Sequence, residues 1–252
     1  MQSDADTRPL YYVLSAGRTG TMFLENLVQT QCDAVTIEHE PNPSRQLMML
    51  GNLRNDLGLL QGATRRMALR HQTATHARDH HIEVNPFLCA VTDLLPHPTR
   101  PLRILHMVRA PGDWAQSMTT FKASTRYRHV IDYIPFAKPF PAPRPPGWRA
   151  LTAFEKSLHR WVWCNRRIAA LAAMAEAYAL VRSEDLFSEE PTDRDAALAK
   201  IVDVLNLPLP KTLPPDIFTQ RVNPAPPGQS LRDAEAERAI CGAVAAEYGY
   251  AL

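Results

Sequence analysis

The chain has 252 residues, 45% of them hydrophobic and 21% charged, with a formal net charge of +2. This is ordinary globular composition: the charge is too small for a nucleic-acid binder with clustered basic stripes, and no apolar run approaches the roughly 20 residues that span a bilayer. The opening MQSDADTRP carries two acids and no apolar segment, and Cys32, Cys89, Cys164 and Cys241 lack ligand-like spacing, so the expectation is a cytoplasmic protein with reduced thiols and no secretory signal.

In chain order, LYYVLS reads as a short, wholly apolar strand of the buried parallel kind. A helix follows from Thr21 to Gln29, with Phe23, Leu24, Leu27 and Val28 at helical spacing. AVTIEHEP is a second strand ending at Pro41. Leu50, Leu53, Leu57 and Leu60 predict an amphipathic helix from Ser44, and a polar helix is expected over 62–78. HHIEV is a third strand. Asn85 and Pro86 make an N-cap and first-turn pair for a helix PFLCAVTDLL. LRILHMVR is a strand and PGDWAQSMTTF the helix after it.

Over 122–150 the periodicity dissolves into IPFAKPFPAPRPPGW, where prolines forbid a regular helix or central strand. Long ordered loops of this kind are often functional, and Tyr127, Tyr133, Phe136, Phe140 and Trp148 suggest an aromatic lid or acceptor wall. A long helix then carries the stripe Leu151, Phe154, Leu158, Trp161, Asn165, Ile168 and Leu171. AYALVRSEDL is a last strand; helices follow at about 193–205 and 231–248, separated by a proline-rich loop. Strands alternate with helices and no linker splits them, so residues 1–252 are expected to form one α/β domain with a helix-covered parallel sheet.

Two stretches carry chemistry. In SAGRTGTMFL a strand passes through a glycine-bearing turn into a helix, which aims backbone N–H groups and the positive helix end at the loop. The lysine of the usual phosphate loop is missing. Arg18 offers instead a planar fork of donors matched to phosphate or sulfate oxygens. Thr19 and Thr21 add hydroxyls, and Gly20 permits close backbone approach. The same residues also fit a Thr-capped turn with Arg18 on the surface. In HMVRAPGDWAQSM, Arg109 falls at a strand's carboxyl end and Ser117 eight residues on, two helical turns into the next element. Ligands of open α/β sheets bind at such strand ends, so this pair is a candidate second anion grip.

Taken together these stretches resemble the sulfotransferases. SAGRTGTMFL is similar to their 5′-phosphosulfate loop, HMVRAPGDWAQSM to their 3′-phosphate motif, HRWVWCNRRI to a W-x-x-x-N helix and LVRSEDLF to an R-Y-E-D-L strand end. The four motifs stand in the family's order from Ser15 to Leu186, about two thirds of the chain. The resemblance implies a P-loop NTPase-like three-layer α/β/α fold and in-line sulfuryl transfer from 3′-phosphoadenosine 5′-phosphosulfate, without a metal. The acceptor would be a hydroxyl or amine on a small molecule or carbohydrate. Arg18, Thr19, Gly20, Thr21 and Met22 would hold the 5′-phosphosulfate, and Arg109 and Ser117 the 3′-phosphate. The family's tyrosine near the adenine is Ser183 here.

The base is open among three neighbours. Where one branch of the family carries a histidine after the third strand, this chain has Asn85, an amide that takes no proton and suits an N-cap. Another branch, including tyrosylprotein and bacterial carbohydrate sulfotransferases, uses a glutamate after the second strand. IEHEP supplies Glu38, His39 and Glu40 there, and Glu40 lies 22 positions after Arg18. Pro41 biases Glu40 toward an extended backbone. Glu40 is the favoured base and His39 the alternative, against a solvated loop acid. His76 and His80, at zinc-compatible spacing, read as a solvated helix face without a third ligand, and Asn165 as a structural core amide. A P-loop kinase would want a Walker lysine and an acidic metal ligand where Arg18 and Arg109 stand; a non-catalytic nucleotide binder is the other rival.

Overall fold

The computed structural model describes residues 7–77, 79–120, 138–219 and 232–252. Five parallel strands, β1 (Leu10–Ser15), β2 (Thr36–His39), β3 (His81–Val84), β4 (Leu102–Val108) and β5 (Ala177–Arg182), form one sheet in the order β2-β3-β1-β4-β5. The chain leaves β1 toward β2 on one side and later crosses to β4 on the other. That reversal opens a crevice at the carboxyl ends of β1, β3 and β4.

Strand alternation divides the core between the two faces of the sheet. Tyr11 and Val13 of β1 pack with α1 (Thr21–Gln31) and α7 (Pro191–Leu205). Leu10, Tyr12 and Leu14 face α2 (Ser44–Leu57), α4 (Pro111–Thr120), α5 (Ala153–Ala169) and α8 (Ala234–Glu247). The result is the expected three-layer α/β/α arrangement, with α3 (Gln61–Thr75) and the one-turn α6 (Ser183–Leu186) filling in. Helix α5 is the best specified element. Thr152 and Glu155 exchange the two hydrogen bonds of a capping box, and Phe154, Leu158, Trp161, Asn165 and Ile168 are buried as the stripe requires. Among the described residues no helix is long and apolar enough to cross a membrane.

Three local expectations fail for physical reasons. The leucine stripe of α2 does not face the core: Leu47, Met48 and Gly51 are buried, whereas Leu57 is 58% exposed and Leu60 46%. The helix already ends at Leu57, capped by the left-handed Gly58, so later leucines fall off its axis. The segment Pro86–Leu94 is a 3-10 helix broken at Val91, although Asn85 caps it as expected by accepting from the Phe87 N–H. Its carbonyls are drawn to side-chain donors, Cys89 O to Arg167 Nε (2.9 Å) and Ala90 O to Asn55 Nδ2 (2.8 Å), instead of to an α-helical ladder. The histidines of HARDHH are not a solvated face. His76 is buried beside Glu83, and His80 stacks on Tyr11 and bonds Leu205 O at 2.9 Å. A wholly buried carboxylate at Glu83 recruits the imidazoles around it. Among the described residues no group of three His, Cys, Asp or Glu side chains is placed to hold a metal ion.

Within the proline-rich insert, Phe140 and Trp148 are buried, and Arg144 reaches across Phe140 to pair with Asp56 of α2. Tyr127, Tyr133 and Phe136 lie outside the described residues, as does 220–231 before α8.

Candidate anion site and adjoining cleft

The loop from Ser15 to Thr21 has three left-handed residues, Gly17 (φ 89°), Arg18 (φ 57°) and Gly20 (φ 88°). Gly20 is required twice over: its φ disfavours a side chain, and a Cβ there would lie 2.6 Å from the Phe187 ring. Three side chains from distant elements hold the loop's carbonyls. Arg160 of α5 donates through Nη2 to Ala16 O (3.3 Å), the Trp114 indole N–H of α4 to Gly17 O (2.6 Å), and the Ser183 hydroxyl to Thr19 O (2.7 Å). In a trans peptide the C=O and the next N–H point oppositely. Pinning the carbonyls of Gly17 and Thr19 toward the protein therefore turns the N–H groups of Arg18 and Gly20 the other way. Helix α1 begins there with no side-chain cap and no acid in its first turn. This is the electrostatics of an anion site.

The predicted residues of the two motifs meet. Arg18 Nε donates to Ser117 Oγ at 3.3 Å, although they are 99 residues apart in sequence. Burial lowers the Arg18 pKa, and the like charge of Arg109 lowers it further. Two guanidiniums thus feel one another's charge at the carboxyl ends of β1 and β4. Arg109 is held by its backbone, since the Trp161 indole donates to its carbonyl at 2.9 Å. The start of α4 is already supplied with carboxylates: Glu184 accepts from Ala110 N (2.9 Å), and the buried Glu237 of α8 accepts from Gly112 N (2.8 Å). The N–H groups of Ala110 and Gly112 are thus already occupied, and Ser117 is buried, its hydroxyl accepting from Arg18.

Thr19 is buried and its hydroxyl has no hydrogen-bond partner among the described residues; Met22 is 39% exposed. Ser183 does not reach outward as a tyrosine would. Its hydroxyl is shared between Thr19 O and Val108 O (3.0 Å), stitching the loop to β4. Asn165 is structural as expected: it bonds Trp161 O of its own helix and His106, both at 2.9 Å.

Beside the loop lies an open cleft of about 600 Å³ along the free edge of β2. Glu25 of α1, Glu38, His39, Glu40 and His81 line it. His39 Nε2 is 3.5 Å from Thr21 Oγ1, which joins cleft to loop. Burial lowers the His39 pKa. Burial raises the Glu40 carboxyl against the opposing pull of Arg45, and raises Glu25 against a hydrogen bond from the His39 backbone. Glu38 turns to His81, 3.8 Å away. Glu40 is not extended, contrary to the bias of Pro41. Its N–H makes a last ladder bond to Val84 O (2.9 Å), and the chain must then turn so that Pro41 O can receive the Ser44 N–H; Glu40 takes φ 50° to do so.

Sequence reading missed Glu25 and the three loop pins. Arg160 was detectable, since it falls on the buried arc of α5 between Ser157 and Cys164, where a charged residue is out of place.

No family model matches the sequence, and neither does any curated protein. A solved structure, the sulfotransferase domain from the Synechococcus PCC 7002 olefin synthase, is similar over 100% of this chain and 98% of that one, with a TM-score of 0.49 and 16% identity.

Proposed function

We propose that the chain is a sulfotransferase that takes its sulfuryl group from 3′-phosphoadenosine 5′-phosphosulfate and passes it in line to a hydroxyl or amine of a small-molecule or carbohydrate acceptor. The observation that carries this reading is the convergence of Arg18, Arg109 and Ser117 from two strand ends on one side of an uncapped helix start. Two cations close enough to feel one another's charge suit a ligand with more than one anionic group. The four motifs in family order give the same ligand class.

In this reading the loop N–H groups, Arg18 and the start of α1 take the phosphosulfate, while Arg109 and Ser117 take the 3′-phosphate. Fixed donors stabilise charge on the transferring group, and alignment of donor and acceptor supplies the rest. The cleft beside β2 receives the acceptor. Its O–H proton passes to Glu40 as the new O–S bond forms. The S–O bond to the donor's phosphate breaks, and the electron pair leaves with 3′-phosphoadenosine 5′-phosphate. Burial suits the Glu40 carboxyl to this task by raising its pKa. One observation favours a second base: His39, and not Glu40, contacts the loop residue Thr21.

A transfer assay with sulfur-labelled donor and a panel of hydroxyl and amine acceptors tests the proposal. Label moved to an acceptor supports it; tight nucleotide binding with no transfer to any acceptor would leave a nucleotide-binding protein instead.

A further inference from the structure

Arg160 is a buried cation with few partners. Its residue is 6% exposed, and its guanidinium lies 5.4 Å from the Trp114 ring centroid. One nitrogen donates to Ala16 O, Nε has no hydrogen-bond partner, and no carboxylate pairs with it among the described residues. The Cys164 thiol, one turn along α5, also hydrogen-bonds Arg160. A carbonyl bond, a sulfur hydrogen bond and a cation–π contact return less than the desolvation of a guanidinium costs. Buried charges in folded proteins are paired or bind something charged.

The groups around Arg160 indicate what the missing counter-charge is. The carbonyl it grips belongs to the anion loop, and the ring it stacks on holds the next carbonyl, Gly17 O. Arg18 and Arg109 stand at the same crevice. We infer that Arg160 is a positioning residue of this loop, a buried charge whose counter-ion is the bound anion and which acts through the Ala16 carbonyl it holds inward. The inference rests on the donor reading for the identity of the anion, but not for its charge.

The experiment compares the full chain with Arg160→Met and Arg160→Lys, measuring ligand-free melting temperature and calorimetric affinity for 3′-phosphoadenosine 5′-phosphate and for inorganic pyrophosphate. Arg160→Met removes a buried unpaired charge, so it should melt above wild type without ligand while binding the nucleotide at least about tenfold more weakly. Arg160→Lys keeps the charge and should retain affinity within a few-fold. A Met variant that melts below wild type, or that binds normally, overturns the inference. So does a Lys variant as weak as Met, and this arm stands alone if the Met variant does not fold. A thiolate at Cys164, read as ultraviolet absorbance lost in Cys164→Ala, would also overturn it by giving Arg160 a resident counter-ion. Wild type that binds pyrophosphate but not the nucleotide overturns the donor reading alone, and the pyrophosphate series then decides Arg160; binding of neither overturns both.

Discussion

Arg18 and Ser117 are joined by a hydrogen bond of 3.3 Å between the loop after β1 and the second turn of α4. The loop that would hold one end of the donor is therefore tied to the helix that would hold the other. The nucleotide 3′-phosphoadenosine 5′-phosphate should bind far better than ADP, which has no 3′-phosphate to meet Arg109. Calorimetry with both ligands checks this, and equal affinities would remove Arg109 and Ser117 from the role. Arg109→Ala should cost about 2–5 kcal/mol of nucleotide binding, the usual loss for a desolvated charge contact.

Three single substitutions address the base: Glu38→Gln, His39→Asn and Glu40→Gln, each assayed for nucleotide affinity and transfer. Glu40→Gln should leave affinity nearly unchanged and lower turnover by about 10²–10⁴. Glu38→Gln is the control, because Glu38 is turned to His81. Normal turnover in Glu40→Gln with a dead His39→Asn would hand the role to the histidine at Thr21.

Gly20→Ala should weaken nucleotide binding more than it weakens the fold. The added methyl group meets the Phe187 ring at 2.6 Å and strains a φ of 88° at the residue that starts α1. A stability loss of roughly 1–3 kcal/mol is expected, readable by denaturant unfolding. Phe187→Ala in the same chain should relieve part of it, since Phe187 is 38% exposed and can be shortened.

Glu83 makes the fold sensitive to acid. Burial alone would raise its carboxyl, but the hydrogen bond from His71 (2.8 Å) and the charge of His71 and of His76, the latter 3.7 Å away, outweigh it and hold it at about 2 against an ordinary 4.5. The pKa is lowered on folding, so this stability is fully present above about pH 4.5 and drains away as pH falls toward 2. Unfolding midpoints measured across that window should drop for wild type and stay flatter for Glu83→Gln. The variant should already be weaker at neutral pH by roughly 3–5 kcal/mol.

The strands and most helices were legible because buried parallel strands are continuously apolar and α5 carries a strict stripe from Phe154 to Ile168. That Arg18, Arg109 and Ser117 would lie near one another was legible for a related reason: Arg18 and Arg109 sit just past the ends of β1 and β4, and Ser117 two turns into the helix that follows β4. The rest depended on partners remote in the chain. No local pattern announces that Arg160, Trp114 and Ser183 hold the carbonyls of Ala16, Gly17 and Thr19. Nor could the turn at Glu40 be read from Pro41, because a ladder bond to Val84 overrides the dipeptide preference. The leucines after Leu53 misled because a leucine repeat continues past the glycine that ends the helix.

The carboxylate of Glu237 lies so close over Gly112 that a Cβ there would meet it at 2.3 Å, and it accepts the N–H at the start of α4. Arg232 braces the same carboxylate at 2.9 Å. The crevice drawn from the first half of the chain is thus closed by a clasp made 125 residues later. On the ribosome, β1, β4, Arg18 and Arg109 all emerge while that clasp is still unmade. A nascent chain halted before α8 therefore carries every arginine of the crevice yet lacks the latch over α4.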